Sequence, residues 1–345
     1  MFKKLVVAVA ATLCAGVAAA AVAETLSGAG ATFPQPIYVK WAEAYKASSG
    51  TAINYQGIGS GGGIKQIEAN TVEFGASDKP LHGADLTANG LYQFPTVIGG
   101  IVPAVNIPGV ASAQLKLTGP LLADIYLGNI KTWNDPRIAR MNPGLRLPGI
   151  PITTVHRSDG SGTNFLFTSY LSGISPQFAH TVGASDSVQW PGGLGGKGNP
   201  GVAAFVKSTV GSIGYVEYFF AKGNHIPFAL VQSRSGTYPQ PVAASFAAAA
   251  AGANWAASDH NFVLLLNQPG ANSWPITGAT FILVHKEQKN PETCRAVLKF
   301  FDWAYKNGDA AAAQLDYVPL PLALKNQIRK QWTANVHAGG KPCYP

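Results

Sequence analysis

Charge is what this sequence has least of: Asp, Glu, Lys and Arg together make up 12% of its 345 residues. Set beside 47% hydrophobic residues, 39 Gly and 24 Pro, that scarcity excludes a disordered chain and describes a compact, loop-rich globular protein. No dense Lys/Arg block and no alternation of basic and aromatic residues occurs, which argues against a nucleic-acid surface. Cysteine is scarce too, three in all, and no Cys/His cluster has ligand spacing, so no metal is expected. Beyond the N-terminal segment no apolar run reaches the length of a membrane span.

That N-terminal segment carries Lys3 and Lys4, an apolar stretch over 5–17, and Ala21-Val22-Ala23 before Glu24. The order of basic, apolar and small-x-small residues predicts a secretory signal peptide over 1–23, removed on export. Leu13 precedes Cys14 where a lipid-anchoring motif resembling the bacterial pattern would carry a small residue, so no lipid anchor is expected. Loss of Lys3 and Lys4 lowers the formal net charge from +8 to +6, a modest excess that suits an anionic ligand. Cys294 and Cys343 then remain in an oxidising compartment, where a disulfide between them is expected. The alternative is two separate thiols, one on a helix over 291–305 and one in a loose tail.

Three small-residue turns stand out. His156-Arg157-Ser158-Asp159-Gly160-Ser161-Gly162-Thr163-Asn164-Phe165 follows a β-type run over 150–155 and opens a helical one over 165–171. Gly28-Ala29-Gly30-Ala31-Thr32-Phe33-Pro34 and Gly57-Ile58-Gly59-Ser60-Gly61-Gly62-Gly63 have the same construction. A strand, a tight turn and a helix start gather free N–H groups and the positive helix end around one point, which suits an anion. Each turn alone reads equally as an ordinary helix cap. Three of them with an arginine favour one oxyanion held from several sides.

Two phosphate motifs fail on inspection. Gly57, Gly59 and Gly62 fit a dinucleotide fingerprint, yet the acid required some 20 residues on has only Asp78 as a candidate, and a nicotinamide cofactor is out of place in an exported protein. The tract Pro191 to Gly198 has Pro where a phosphate-cradling loop needs its first Gly, and Gly where it needs Ser or Thr. No cofactor is expected.

Short β-branched runs alternate with helical ones: a helix over 34–47, a strand over 52–56, a helix over 62–70 and a short strand over 74–76 ending at Ser77-Asp78. The alternation predicts an α/β fold with mostly parallel sheets. Length alone predicts two domains at about 150 residues each. Longer apolar runs over 94–105 and 274–285 read as the strands by which the chain leaves the first domain and returns, or as two ordinary core strands. The domains expected are 24–100 with 273–345, and 101–272. An Ala-rich run over 246–257 reads as a surface helix.

The turns, together with Tyr55-Gln56-Gly57-Ile58-Gly59-Ser60, Phe74-Gly75-Ala76-Ser77-Asp78 and Gly214-Tyr215-Val216-Glu217-Tyr218, closely resemble the periplasmic phosphate-binding proteins of bacterial phosphate-specific ABC transporters, over residues 26–332. The resemblance implies a two-domain periplasmic-binding-protein fold (type II-like) that closes over inorganic phosphate and presents it to a membrane permease. It implies phosphate ligands at Thr32, Phe33, Ser60, Asp78, Arg157, Ser161, Gly162 and Thr163. The chemistry of these residues agrees: hydroxyls and helix-start N–H groups donate to an oxyanion, and Arg157 brings the one positive charge. Asp159 is placed to hold the guanidinium, or simply to cap the turn.

Asp78 discriminates. An ionised carboxylate only accepts hydrogen bonds, so it demands a ligand oxygen that bears a proton, which phosphate has near neutral pH and sulfate lacks. A turn-capping acid is the plainer alternative. Gly61 stands where the family commonly carries serine, and Cys294, Cys343 and the tail 338–345 are additions to its pattern. The implied protein is a periplasmic monomer and no enzyme. An exported phosphatase would need a base beside Ser60 or Ser161, and none of the seven histidines lies in such a motif. An exported adhesin would need no anion turns at all.

Overall fold

The computed structural model describes residues 25–255 and 257–345; the segment 1–23, expected to be a signal peptide, lies outside them. Strand Thr25–Gly30 pairs in parallel with Ala52–Gly57 on one side and Phe74–Ser77 on the other. Strand Thr153–Arg157 pairs in parallel with Leu194–Gly196 and Ser212–Glu217. Both blocks are strand–turn–helix units: helices Gln35–Ser49 and Ser60–Glu68 follow the first two strands, and Gly162–Ile174 and Gly198–Ser208 belong to the second block.

The expectation of mostly parallel sheets holds within each block and fails between them. Leu91–Asn106 runs antiparallel to Thr277–His285 along residues 91–100, then antiparallel to Ser212–Glu217 along 101–106. Thr277–His285 is in turn antiparallel to Phe74–Ser77. The two apolar runs in the sequence are therefore the central antiparallel pair of one nine-stranded sheet. Strand Leu91–Asn106 is buried along fifteen of its sixteen residues, which explains why it reads as an unbroken apolar run. Gly100 sits where it passes from one partner to the next, and a Cβ there would fall 2.0 Å from the Phe246 ring.

One buried cluster runs through both blocks, with Phe33, Trp41, Phe74, Phe94 and Trp332 on one side and Trp133, Phe167, Phe178 and Tyr215 on the other. The Ala-rich helix spans Ala243–Ala251 and packs on the central strands. After it the chain leans on the first block, where Gln93 Nε2 donates to His260 O at 2.8 Å and Asn261 Nδ2 to Gln93 O at 3.0 Å.

Cys294 and Cys343 form a disulfide. The tail around Cys343 is built into the fold: His337–Ala338 pairs in parallel with Glu287–Gln288 and antiparallel with Lys341–Pro342, and Tyr344 packs edge-on to Trp332. The bridge spans 49 residues, and loop-closure entropy assigns such a bond about 4 kcal/mol. None of the elements it joins carries an anion turn. Reduction is expected to lower the melting temperature by several degrees and leave anion binding intact, as read by a thermal melt and by calorimetry on the same reduced sample. A loss of binding on reduction would contradict this separation.

Candidate anion-binding site

The expected ligand residues lie at the carboxyl ends of parallel strands, Arg157 as the last residue of its strand and the others in the segments that follow. This is where an open α/β sheet leaves backbone donors unpaired. Thr32 and Phe33 follow Thr25–Gly30, Ser60 follows Ala52–Gly57, and Asp78 follows Phe74–Ser77; the stretch from Ser158 to Thr163 follows Thr153–Arg157. The two blocks bring these ends face to face. Gly61 N–H donates to Gly160 O at 2.9 Å, and Gly162 N–H donates to Ser60 Oγ at 3.0 Å. A Cβ on Gly162 would lie 2.6 Å from both Asp78 Cβ and Ser60 Oγ, so this approach requires glycine.

Thr32, Ser60, Asp78, Arg157, Ser161 and Thr163 are all buried. Each hydroxyl is already engaged as an acceptor. Ser60 Oγ takes the N–H of Asp78 at 3.2 Å and of Gly162 at 3.0 Å. Ser161 Oγ caps helix Gly162–Ile174 through Asn164 N–H at 3.0 Å, so the capping reading of this serine holds while its proton stays available. Thr32 Oγ1 accepts from Asn199 N–H at 3.0 Å and Asn199 Nδ2 at 2.9 Å, and Thr163 Oγ1 accepts from the same Nδ2 at 3.3 Å. Gly162 N–H, assigned to the anion from the sequence, is turned to Ser60 here. The N–H groups of Phe33 and Thr163 meet no protein acceptor among the described residues.

Arg157 is clamped by Asp159, with Nε 2.8 Å from Oδ1 and Nη2 2.6 Å from Oδ2. Asp159 Oδ1 also accepts Gly198 N–H at 3.0 Å. The clamp uses two of the five guanidinium protons and leaves three for a ligand, while neutralising a charge that would otherwise be costly to bury. His156, the neighbour on the strand, stacks instead on Trp190.

Asp78 Oδ1 accepts the Thr280 hydroxyl at 2.6 Å. Burial pushes its carboxyl up from 3.8 to about 7, with the Thr280 hydrogen bond and the charge of Arg157 pulling the other way. A second buried acid, Glu217, ends strand Ser212–Glu217; desolvation raises it well above the usual carboxylate range, against the pull of Phe219 N–H and Tyr317. The Tyr317 hydroxyl stands 2.6 Å from Phe33 O and 3.0 Å from Glu217 Oε2. Thr280, Asn199 and Tyr317 had no part in the sequence reading, and Glu217 appeared there only within a motif. Among the described residues no group of three or more His, Cys, Asp or Glu could hold a metal, and no helix is long and apolar enough to cross a membrane.

Two lobes that meet over clustered donors, one arginine and one acid define a substrate-binding protein of the periplasmic type. The PBP superfamily domain matches residues 15–307. The phosphate-binding protein PstS of Pasteurella multocida is 53% identical over 314 residues, covering 91% of each chain, and that of Methanocaldococcus jannaschii is 36% identical, covering 81% of this chain and 78% of its own. The phosphate-binding protein from Stenotrophomonas maltophilia has the same fold, with TM-score 0.69 at 24% identity over 92% of this chain and 97% of its own. The chain belongs to the PstS family of phosphate-binding proteins.

The raised Asp78 carboxyl gives a pH signature. An unfolded aspartate titrates near 3.8 and the folded one near 7. Between those values the folded protein holds the extra proton, so this group's contribution to stability falls as pH rises through the window and is lost above it. In ligand-free protein, the stability of Asp78→Asn relative to the parent is expected to grow from pH 4 to pH 7 and then level. Denaturant midpoints across that range measure it, and a difference independent of pH would remove the buried, raised carboxyl.

Proposed function

We propose that this protein binds inorganic phosphate in the periplasm and delivers it to the permease of an ABC transporter. The ligands are the hydroxyls of Thr32, Ser60, Ser161 and Thr163, the N–H groups of Phe33 and Thr163, the free guanidinium protons of Arg157, and Asp78 as acceptor, while the Gly162 N–H is spent on Ser60 Oγ. The observation that carries the reading is the buried carboxyl of Asp78, set among donors otherwise suited to any oxyanion. Donors alone bind sulfate and phosphate alike; a carboxylate that only accepts selects the anion that still has a proton to give.

The lobes are 24–100 with 273–345, and 101–272 apart from the stretch around His260 and Asn261, which packs on the first; they close as one monomer around the anion, with strand Leu91–Asn106 as a connection between them. Export through the 1–23 signal peptide brings the chain to the periplasm. The protein carries out no chemistry on its ligand. Ser60 Oγ meets only N–H donors, Ser161 Oγ is a helix cap, and no histidine contacts either among the described residues, so a hydrolase has neither activated nucleophile nor base.

Asp78→Asn is expected to keep phosphate binding and lose selectivity, since an amide can donate to a fully deprotonated oxygen. Sulfate should then compete in a phosphate-displacement assay; sulfate excluded as firmly as by the parent would take Asp78 out of the site. Arg157→Ala removes one partner of a desolvated pair and is expected to cost about 2–5 kcal/mol of binding, roughly thirtyfold or more in Kd. Calorimetry on the folded variant giving a Kd within about threefold of the parent, under 1 kcal/mol, would refute the role of Arg157.

A further inference from the structure

Asn199 directly follows the glycine-rich tract Pro191 to Gly198 that fails as a phosphate loop, and it is fully buried. Asn199 Oδ1 lies 2.9 Å from Glu217 N, a backbone N–H that can only donate. That contact fixes which end of the amide is which. Nδ2 must therefore face the other way, where it lies 2.9 Å from Thr32 Oγ1 and 3.3 Å from Thr163 Oγ1, one proton for each. Asn199 N–H adds a second donor to Thr32 Oγ1 at 3.0 Å.

A hydroxyl has two lone pairs and one proton. With both lone pairs of Thr32 Oγ1 occupied by Asn199, its proton has only the role of donor left. Thr32 comes from the block built on Thr25–Gly30, while Asn199 and Thr163 come from the block built on Thr153–Arg157, so the contacts to Thr32 require the two halves to be together.

We propose that Asn199 is a positioning residue that sets the hydroxyls of Thr32 and Thr163 as hydrogen-bond donors toward the bound anion, and does so across the two halves only when they are closed. The inference rests on the reading of Thr32 and Thr163 as phosphate ligands.

A double-mutant cycle tests it, with inorganic phosphate affinity measured by calorimetry in two backgrounds: the parent, and Thr32→Val with Thr163→Val. In the parent, Asn199→Ala is expected to weaken phosphate about tenfold or more. In the valine background, with the hydroxyls gone, the same change is expected to cost less than about threefold. Asn199→Asp repeats the comparison with the acceptor for Glu217 N–H kept, so the cycle does not depend on the alanine variant folding. The charge it adds is common to both backgrounds and cancels. A role in folding alone would lower the melting temperature equally in both backgrounds and leave the affinity cost unchanged between them. An equal affinity cost in both, or a Kd for Asn199→Ala within about threefold of the parent, overturns the proposal. Phosphate binding unaffected by the two valine substitutions themselves would overturn the ligand reading beneath it, and is seen separately in the background protein alone.

Discussion

A hydroxyl that accepts two hydrogen bonds has a single direction left for its proton, and at Thr32 and Ser60 both acceptor places are filled by N–H groups. In the closed arrangement the polarity of the site is thereby settled by the protein's own contacts. Donors held in this way in a buried setting act more strongly than in solvent. Both contacts at Thr32 and one of the two at Ser60 run between the two blocks of the sheet, Asn199 to Thr32 and Gly162 to Ser60, while Asp78 N–H reaches Ser60 within its own block. On the proposed reading, closing the lobes and committing the donors are one event. The glycine at 162, which a side chain would drive into Ser60 and Asp78, and the antiparallel pair at the centre of the sheet serve that meeting.

Within this field of donors the acids are handled by different means. Asp159 is neutralised by Arg157 through two short contacts. Asp78 has no such partner: one oxygen is taken by Thr280, and burial outweighs both that bond and the charge of Arg157. A carboxyl held near 7 is poised between accepting and donating. A ligand oxygen that bears a proton favours the ionised, accepting form; an oxyanion without one forces the carboxyl to hold its own proton or leaves a buried acceptor unpaired, which is costly. In the proposed reading selectivity thus falls on one side chain while affinity is spread over many.

Much of the architecture was legible because it is local. The turns at Thr32, Ser60 and Ser161 follow their strands within a few residues, and their Gly, Ser and Thr content reports both the cap and the donor. Asp159 is two residues from Arg157, close enough for the clamp to be read from spacing. Residues 94–105 were visible as an apolar run because the strand is buried on both faces, but their antiparallel pairing was not, since periodicity carries no information about direction. Thr280 was hidden for a related reason: a threonine in a β-branched strand looks like strand propensity. Asn199 acts on a hydroxyl 167 residues away, and its surroundings read as a defective phosphate loop. Tyr317 meets Phe33 O over 284 residues. Contacts of that span are a product of the closed fold and leave no mark on local sequence.

The account stands most directly on the contact between Asp78 and the anion, and a crystal structure of the mature protein with inorganic phosphate measures it. Two oxygens that share a proton and a negative charge lie about 2.5–2.7 Å apart. The account predicts that separation between a phosphate oxygen and an Asp78 carboxylate oxygen, with Thr280 still donating to the other. Phosphate bound with Asp78 turned away, or a water or cation standing between the two, would contradict it.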